Sequence, residues 1–194
     1  MDTGREGPDP SAADLPEDAL SALLGYAADV VNAAVLGRGA PDAPAAPELG
    51  ECRGVFVSLH RRGRLRGCLG HILPDRPLSE VTADMAAAVT CEDPRFRPVR
   101  PDELDGLEVE VSVLSVLSPI EPEAVVVGRH GLLIRRGRAA GLLLPQVATE
   151  HGLDRAAFLE ALCQKAMLAP GAWRAADAEL LAFTVQRAGM TMSR

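Results

Sequence analysis

The chain has 194 residues, a formal net charge of −7 and an apolar fraction of 47%, so it can bury a sizeable core and is not a disordered chain. The negative charge argues against a nucleic-acid binder, which needs a basic surface, and we expect no membrane span because no apolar run is long enough. The four cysteines show neither CxxC pairs nor metal-ligand spacing, so we expect a reduced cytoplasmic protein without a disulfide framework, a bound metal or another cofactor.

The first half of the chain predicts a helix followed by a β-hairpin. Residues 1–14 are polar and predict a disordered tail, whereas from residue 15 apolar residues recur at helical spacing. A Pro-, Ala- and Gly-rich segment at 37–50 predicts a mobile connector. The period then changes to two in GVFVSLH and RLRGCLG, and the turn residues RRG between them indicate a hairpin.

The second half predicts a mixture of helices and strands. A helix at about 78–90, with Ser79 as its N-cap, is followed by a proline-rich loop, CEDPRFRPVRPDEL, and by a strand in LEVEVSVLSVL. The remaining predicted elements are strands at 124–127, 132–135 and 141–144, a short helix in PQVATEHG, a helix at about 154–167 and a final strand in LLAFTVQRA. We therefore predict a single α+β domain over 15–188, with a mostly antiparallel sheet flanked by helices and a short tail at 189–194.

Strand alternation gathers polar side chains on one face of the predicted sheet. Arg66 and Cys68 are two residues apart, so we expect them to share a face, with Leu65 and Leu69 on the other face. In the later strand, Glu110 and Ser112 alternate in the same way with core valines. If both strands belong to one sheet, these polar side chains and His60 line one surface.

Cys68 is the centre of this predicted site. A neighbouring Arg66 would favour the thiolate, which is the nucleophilic form of cysteine. Gly67 and Gly70 carry no side chains, so we expect them to let a ligand approach the backbone. The simpler alternative is that Cys68 is a small buried hydrophobic residue, as most lone cysteines are.

Three residues are candidates for an accompanying base: Glu110, His60 and His71. By default Glu110 and Ser112 form the solvated side of a half-buried strand, and both histidines lie at the surface.

Two groups of arginines also stand out in this acidic chain. They suit a small anion better than a nucleic-acid duplex, although a solvated charged face is the simpler interpretation. They are Arg61, Arg62, Arg64 and Arg66, and Arg95, Arg97 and Arg100.

Taken in order, these motifs resemble the AMMECR family, whose bacterial and archaeal members are called AmmeMemoRadiSam system protein A. LRGCLG is similar to the family's LRGCIG signature, and the resemblance continues through DPRF, LEVEVSVLSVLSPIEP, GLLLPQVATEHG and FLEALCQKAML. Met167 departs from the pattern because the family usually has Gly there.

The resemblance implies an α+β fold with a smaller second lobe and the signature motif beside a cleft. It adds Asp93 and Arg95 to the substrate-binding candidates Arg66, Gly67, Gly70 and Ser112, with Cys68 and Glu110 as the catalytic pair. It also implies a pathway shared with a Memo-like protein and a radical S-adenosylmethionine enzyme.

Three hypotheses follow. The first is an enzyme that acts through Cys68 on a small polar or anionic metabolite. The second is a non-catalytic scaffold whose cleft holds a segment of the Memo-like or radical S-adenosylmethionine partner. The third is metal handling for those partners, although the ligand count is short for a metal site.

Overall fold

The computed structural model describes residues 14–193, so most of the predicted N-terminal tail lies outside the described residues. The described chain contains α1 (Glu17–Val35), β1 (Val55–Arg61), β2 (Arg64–His71), α2 (Leu78–Ala88), β3 (Leu107–Leu114), β4 (Ser118–Pro119), β5 (Gly131–Arg136), β6 (Ala139–Leu143), α3 (Pro145–Glu150), α4 (Arg155–Lys165), β7 (Glu179–Phe183) and β8 (Val185–Thr191).

These elements form two compact units, one of residues 14–114 with 186–193 and the other of residues 115–185. The sheet of the first unit has the strand order β2-β1-β3-β8, and the sheet of the second has the order β4-β7-β5-β6. The pairings of β1 with β2 and β3, and of β7 with β4 and β5, are antiparallel. The predicted α+β class and the predicted hairpin are therefore confirmed.

The core of the first unit lies on one face of its sheet. Val55, Val57 and Leu59 of β1 alternate inward with no exposed surface, and three valines of β3 do the same. The helices α1 and α2 cover this face, because α1 packs on β3 and α2 packs on β1 and β2. Each such aliphatic side chain contributes roughly 1.5–3 kcal/mol by leaving water, which fixes the opposite strand face as the one that carries polar residues.

The helix α1 corrects the expectation that no segment is long enough to span a membrane. Among the described helices, α1 alone has the length and apolar composition to cross a bilayer, and half of its most apolar window is buried. Leu23, Ala27 and Val31 have no exposed surface and belong to the core of the first unit. This burial accounts for the apolar character of α1 by packing.

Two local predictions in the middle of the chain are wrong. Pro77, not Ser79, occupies the N-cap of α2, and the amide of Leu78 donates to the carbonyl of Glu51 at 2.9 Å. The strand predicted at 124–127 is replaced by a 3-10 turn over Pro122–Ala124. Proline fixes φ near the helical value, so Pro122 starts this turn, and residues 127–129 form a further turn instead of a strand.

The final strand and the tail are also corrected. The segment LLAFTVQRA forms two strands, β7 and β8, which belong to different sheets. Thr184 separates them, and its carbonyl and amide bond to the amide and hydroxyl of Ser115 at 3.0 and 2.9 Å. The predicted tail at 189–194 begins inside β8, which continues to Thr191 because it pairs with β3.

Candidate functional site

A row of polar side chains crosses the first sheet on the face that points away from its core. Ser58 of β1 stands between its register partners, Cys68 of β2 and Glu110 of β3. Ser112 pairs with Phe56 in the next row of the same face. The structure thus places three predicted site residues, Cys68, Glu110 and Ser112, on one surface.

A β-bulge in β2 accompanies this arrangement. The hairpin loop consists of Arg62 and Gly63, with φ values of 53° and 69°, as in the type I′ turns of two-residue hairpins. Beyond the loop, Leu65 pairs with His60, but the next partner of β1 is Gly67, so Arg66 is the extra residue of the bulge.

The bulge decides which way Cys68 points. Uninterrupted pairing from the two-residue loop would set Cys68 opposite Val57, on the core face. The extra residue shifts the register by one, so Cys68 pairs with Ser58 and Leu69 pairs with Val57. The prediction that Leu65 and Leu69 share a face is therefore wrong, because they lie on opposite sides of the bulge.

The Cys68 thiol accepts a hydrogen bond from a neighbouring strand. The hydroxyl of Ser58 donates to its Sγ at 3.2 Å, and the Ser58 side chain is largely buried while Cys68 is half-buried. The pair has the closer spacing of a non-hydrogen-bonded antiparallel pair, since the main-chain groups of Cys68 point away from β1. Ser58 was absent from the predicted site because its position opposite Cys68 depends on the bulge.

The DPRF loop clamps the main chain of Cys68. Asp93, only 3% exposed, accepts from the Cys68 amide at 2.9 Å and from Nη2 and Nε of Arg95 at 2.7 and 2.9 Å. Arg95 Nη2 also donates to the Cys68 carbonyl at 3.3 Å. Both outward-facing main-chain groups of Cys68 are thereby satisfied on the free edge of β2, which fixes the position of the thiol.

Charge holds this clamp together. The hydrogen bond from Arg95 is the main reason that the pKa of Asp93 lies well below its usual range. The same hydrogen bond raises the pKa of the Arg95 guanidinium, and the nearby Cys68 side chain contributes to the increase. Arg95 nevertheless leaves 56% of its side chain exposed, so a cation remains accessible beside Cys68.

Arg66 holds a loop in place. Its Nε and Nη2 donate to the two carboxylate oxygens of Glu103, both at 3.0 Å, and it also donates to the carbonyls of Arg97 and Pro98 at 2.9 and 3.2 Å. This bidentate bond is the main reason that the pKa of the buried Glu103 is lowered. With these donors engaged, the geometry favours a positioning role over the predicted contact with substrate. Glu103 was not predicted, and its one signal is its place in the proline-led turn RPDE.

The two glycines of LRGCLG have packing partners inside the protein. A Cβ on Gly67 would lie 3.0 Å from the carbonyl oxygen of Val89, and one on Gly70 would lie 2.2–2.6 Å from ring atoms of Phe56. Phe56 is the direct cross-strand partner of Gly70, so its ring covers the glycine. This packing explains both glycines without the ligand approach that we expected.

The three predicted bases are separated. His71 pairs with Val55 on the core side of β2, and its Nε2 lies 2.7 Å from Asp75 Oδ1. His60 lies on the polar face, beside Leu65 in the neighbouring strand. Glu110 shares the row of Cys68, but Ser58 stands between them.

Two further features concern possible ligands. Within residues 14–193, no group of three or more His, Cys, Asp or Glu side chains is arranged to hold a metal ion.

A groove of about 720 Å³ runs along α4 in the second unit and includes none of the predicted site residues. It is lined by Ala157, Glu160, Ala161, Gln164, Leu168 and Pro170.

Comparisons with known proteins agree with the fold and cover the site. The AMMECR1 family model matches residues 24–188. Protein Mbar_A1807 of Methanosarcina barkeri is 48% identical over 133 residues, which are 66% of each chain. A protein of Thermococcus gammatolerans is 48% identical over 151 residues, which are 72% of this chain and 74% of the relative. The crystal structure of uncharacterized protein PH0010 from Pyrococcus horikoshii has a TM-score of 0.76 at 34% identity and covers 93% of this chain and 99% of its own.

Proposed function

The chain belongs to the AMMECR1 family, and from its site we propose that it is a cytoplasmic enzyme that acts on a small polar or anionic metabolite through Cys68. We further propose that it works in a pathway with Memo-like and radical S-adenosylmethionine proteins, as the family resemblance implies. The contacts of the Cys68 thiol are the basis for the proposed reaction.

The observation that carries this proposal is the way Cys68 is held. The clamp of Asp93 and Arg95 fixes its main chain, and Ser58 donates a hydrogen bond to its sulfur at 3.2 Å. A half-buried thiol held at a fixed position beside an exposed guanidinium is placed to meet an anionic substrate.

Each polar residue then has a role in the proposed chemistry. Cys68 is the nucleophile or the acid–base group, and the exposed guanidinium of Arg95 binds the anionic part of the substrate. Glu110 and Ser112 contact the polar part and assist proton transfer on the same face. Arg66 positions the loop that carries the clamp.

A non-catalytic binding role is the second candidate. In it, the polar face holds a segment of the Memo-like or radical S-adenosylmethionine partner, and Cys68 is structural. The observation that favours it is that Ser58 stands between Cys68 and Glu110, which separates the thiol from the carboxylate proposed as its base.

Two alkylating reagents of nearly equal size test the enzyme proposal. Iodoacetate is anionic and iodoacetamide is neutral. The rate of alkylation by iodoacetate divided by the rate with iodoacetamide therefore reports, at each cysteine, the local preference for anions. We expect this ratio at Cys68, read by peptide mass spectrometry, to exceed the ratio at the exposed Cys52 and Cys91 by on the order of tenfold, because Arg95 attracts the carboxylate.

Variants assign the effect to its cause. Arg95→Gln should reduce the ratio at Cys68 to that of the exposed cysteines, whereas Arg187→Gln, an exposed arginine on β8, should leave it unchanged. Thermal unfolding of both variants controls for damage to the fold. A wild-type ratio at Cys68 no higher than at Cys91 would contradict the proposed anion-binding thiol and favour the scaffold role.

A further inference from the structure

The tip of the β1–β2 hairpin and the loop that adjoins β2 carry arginines that form no ion pair among the described residues. Arg62, Arg64 and Arg97 are exposed, and within residues 14–193 none of them takes part in an ion pair. The carboxylates of the adjacent turn are already engaged, because Asp102 binds Arg100, and Glu103 binds Arg66 and Arg61. In a chain of net charge −7, this concentration of unpaired cations is a local exception.

The three arginines belong to one patch. Arg62 is in the loop, and Arg64 follows it as the cross-strand partner of Arg61. Arg97 is tied to the same strand, because its carbonyl accepts from Arg66 Nη1 at 2.9 Å. We name these three arginines, with Leu65, the hairpin patch.

The backbone conformation at Arg62 is unfavourable for an arginine. Arg62 has a φ of 53°, in the left-handed region, and it is one of two non-glycine residues among those described with positive φ. The first loop position of a type I′ turn strongly favours Asn, Asp or Gly. An arginine there is less stable than these residues would be.

Leu65 adds an apolar contact to the patch. It is 40% exposed, because it pairs with His60 on the polar face, one residue before the bulge at Arg66. A partner that covers the patch would bury this leucine while pairing with the arginines around it. Exposed cations and an exposed leucine at the same end of the hairpin suit a segment that reaches both faces of this end and carries carboxylates and apolar side chains.

From these observations we infer that the hairpin patch is a docking surface for an acidic, leucine-containing segment of a partner protein. A nucleic acid fits less well, because three arginines neutralise few phosphates and the rest of the chain is acidic. The inference does not depend on chemistry at Cys68, since none of the residues of the patch contacts the thiol.

A short fluorescent peptide of alternating Glu and Leu is the probe, and binding is measured by fluorescence anisotropy at low and physiological salt. The wild-type chain should bind saturably, more weakly at higher salt, and more weakly still when Ser replaces Leu in the peptide. The double variant Arg62→Asn, Arg64→Gln should bind on the order of tenfold more weakly, because two charge-assisted contacts are lost. Arg97→Gln should weaken binding by a smaller factor.

Arg62→Asn makes the test robust, because Asn is favoured at this turn position and should leave the unfolding temperature unchanged or higher. Arg38→Gln, an exposed arginine after α1, is the matched control and should bind as the wild type does. The inference is overturned if the wild type shows no saturable binding, if the double variant binds as tightly, or if a short DNA duplex binds more tightly than the peptide at the same salt.

Discussion

Cys68 and Cys163 are both cysteines of the same chain, and the structure places them in different surroundings. Cys163 lies on α4, is 1% exposed and packs in the core of the second unit with Phe158, Leu159 and Leu162. Burial is the main reason that its pKa is raised. Cys68 lies on a half-buried strand face, where a hydroxyl and a charged clamp contact it.

The difference shows that the neighbours of a cysteine decide its chemistry. At Cys163 the effect of burial, which disfavours the thiolate, outweighs the hydrogen bonds from the backbone of Trp173 and Ala172, which favour it. The cysteines cannot be ranked from their spacing, because the side chains that contact Cys68 lie 10, 25 and 27 residues away in the chain.

The largest expected effect is in alkylation. With iodoacetamide at neutral pH, Cys68 should react at least about a hundredfold faster than Cys163, because Cys163 reacts only after local opening and its raised pKa keeps it protonated. As the pH rises, the rate at Cys163 should keep increasing beyond the range in which exposed thiols reach their plateau. Peptide mass spectrometry measures both alkylation rates in one sample. Equal rates would contradict the expected difference in reactivity between Cys68 and Cys163.

Removal of the clamp is expected to have the next largest effect. Asp93→Ala should lower the free energy of unfolding by about 2–3 kcal/mol, because the Cys68 amide and the Arg95 guanidinium lose their buried acceptor. Urea unfolding at neutral pH measures the loss. Asp102→Ala, which removes an exposed carboxylate that also binds an arginine, should leave stability nearly unchanged.

The clamp also predicts a pH dependence. Since Arg95 lowers the folded-state pKa of Asp93, the contribution of the carboxylate is fully present above its unfolded pKa of about 3.9. It is lost as the pH falls from there through the folded-state pKa. The stability difference between wild type and Asp93→Asn should therefore narrow below about pH 4, and a constant difference would show that charge does not hold the clamp.

Serine substitutions compare the two cysteines directly. Cys163→Ser should destabilise the chain by about 1–2 kcal/mol, because a smaller and more polar hydroxyl would be buried among apolar side chains, although the backbone of Ala172 and Trp173 offers it donors. Cys68→Ser should change stability by less than about 1 kcal/mol, because its surroundings already accommodate a polar group. Thermal unfolding measures the loss of stability in each variant. A larger loss for Cys68→Ser than for Cys163→Ser would support the alternative that Cys68 has a structural role.

The smallest effect is expected beside Cys163, at the end of α4. Met167 has a φ of 56°, and the amide of Leu168 donates to the Cys163 carbonyl at 2.9 Å, as in a Schellman motif. Met167 is 94% exposed, so its side chain contributes little packing. Met167→Gly should stabilise the chain by about 1 kcal/mol, whereas Met167→Ala, which keeps a Cβ, should give no comparable gain.

Much of the first sheet could be predicted from the sequence. The alternation of β1 and β3 records which side chains are buried, so the valines of the core face and the polar positions Glu110 and Ser112 were assigned to the correct sides. The second unit was less predictable. One apolar run, LLAFTVQRA, supplies strands to two sheets, and its break at Thr184 depends on hydrogen bonds to Ser115.

By itself, the sequence determined that a hairpin carries LRGCLG and that polar residues line one face of its sheet, because periodicity reflects burial. Only the tertiary structure decided how Cys68 is presented. A one-residue bulge at Arg66 sets Cys68 beside Ser58, and Asp93 and Glu103 reach this strand from 25 and 37 residues away. A bulge leaves no mark in composition, and contacts over such separations form only when the loop and the strand edge pack together.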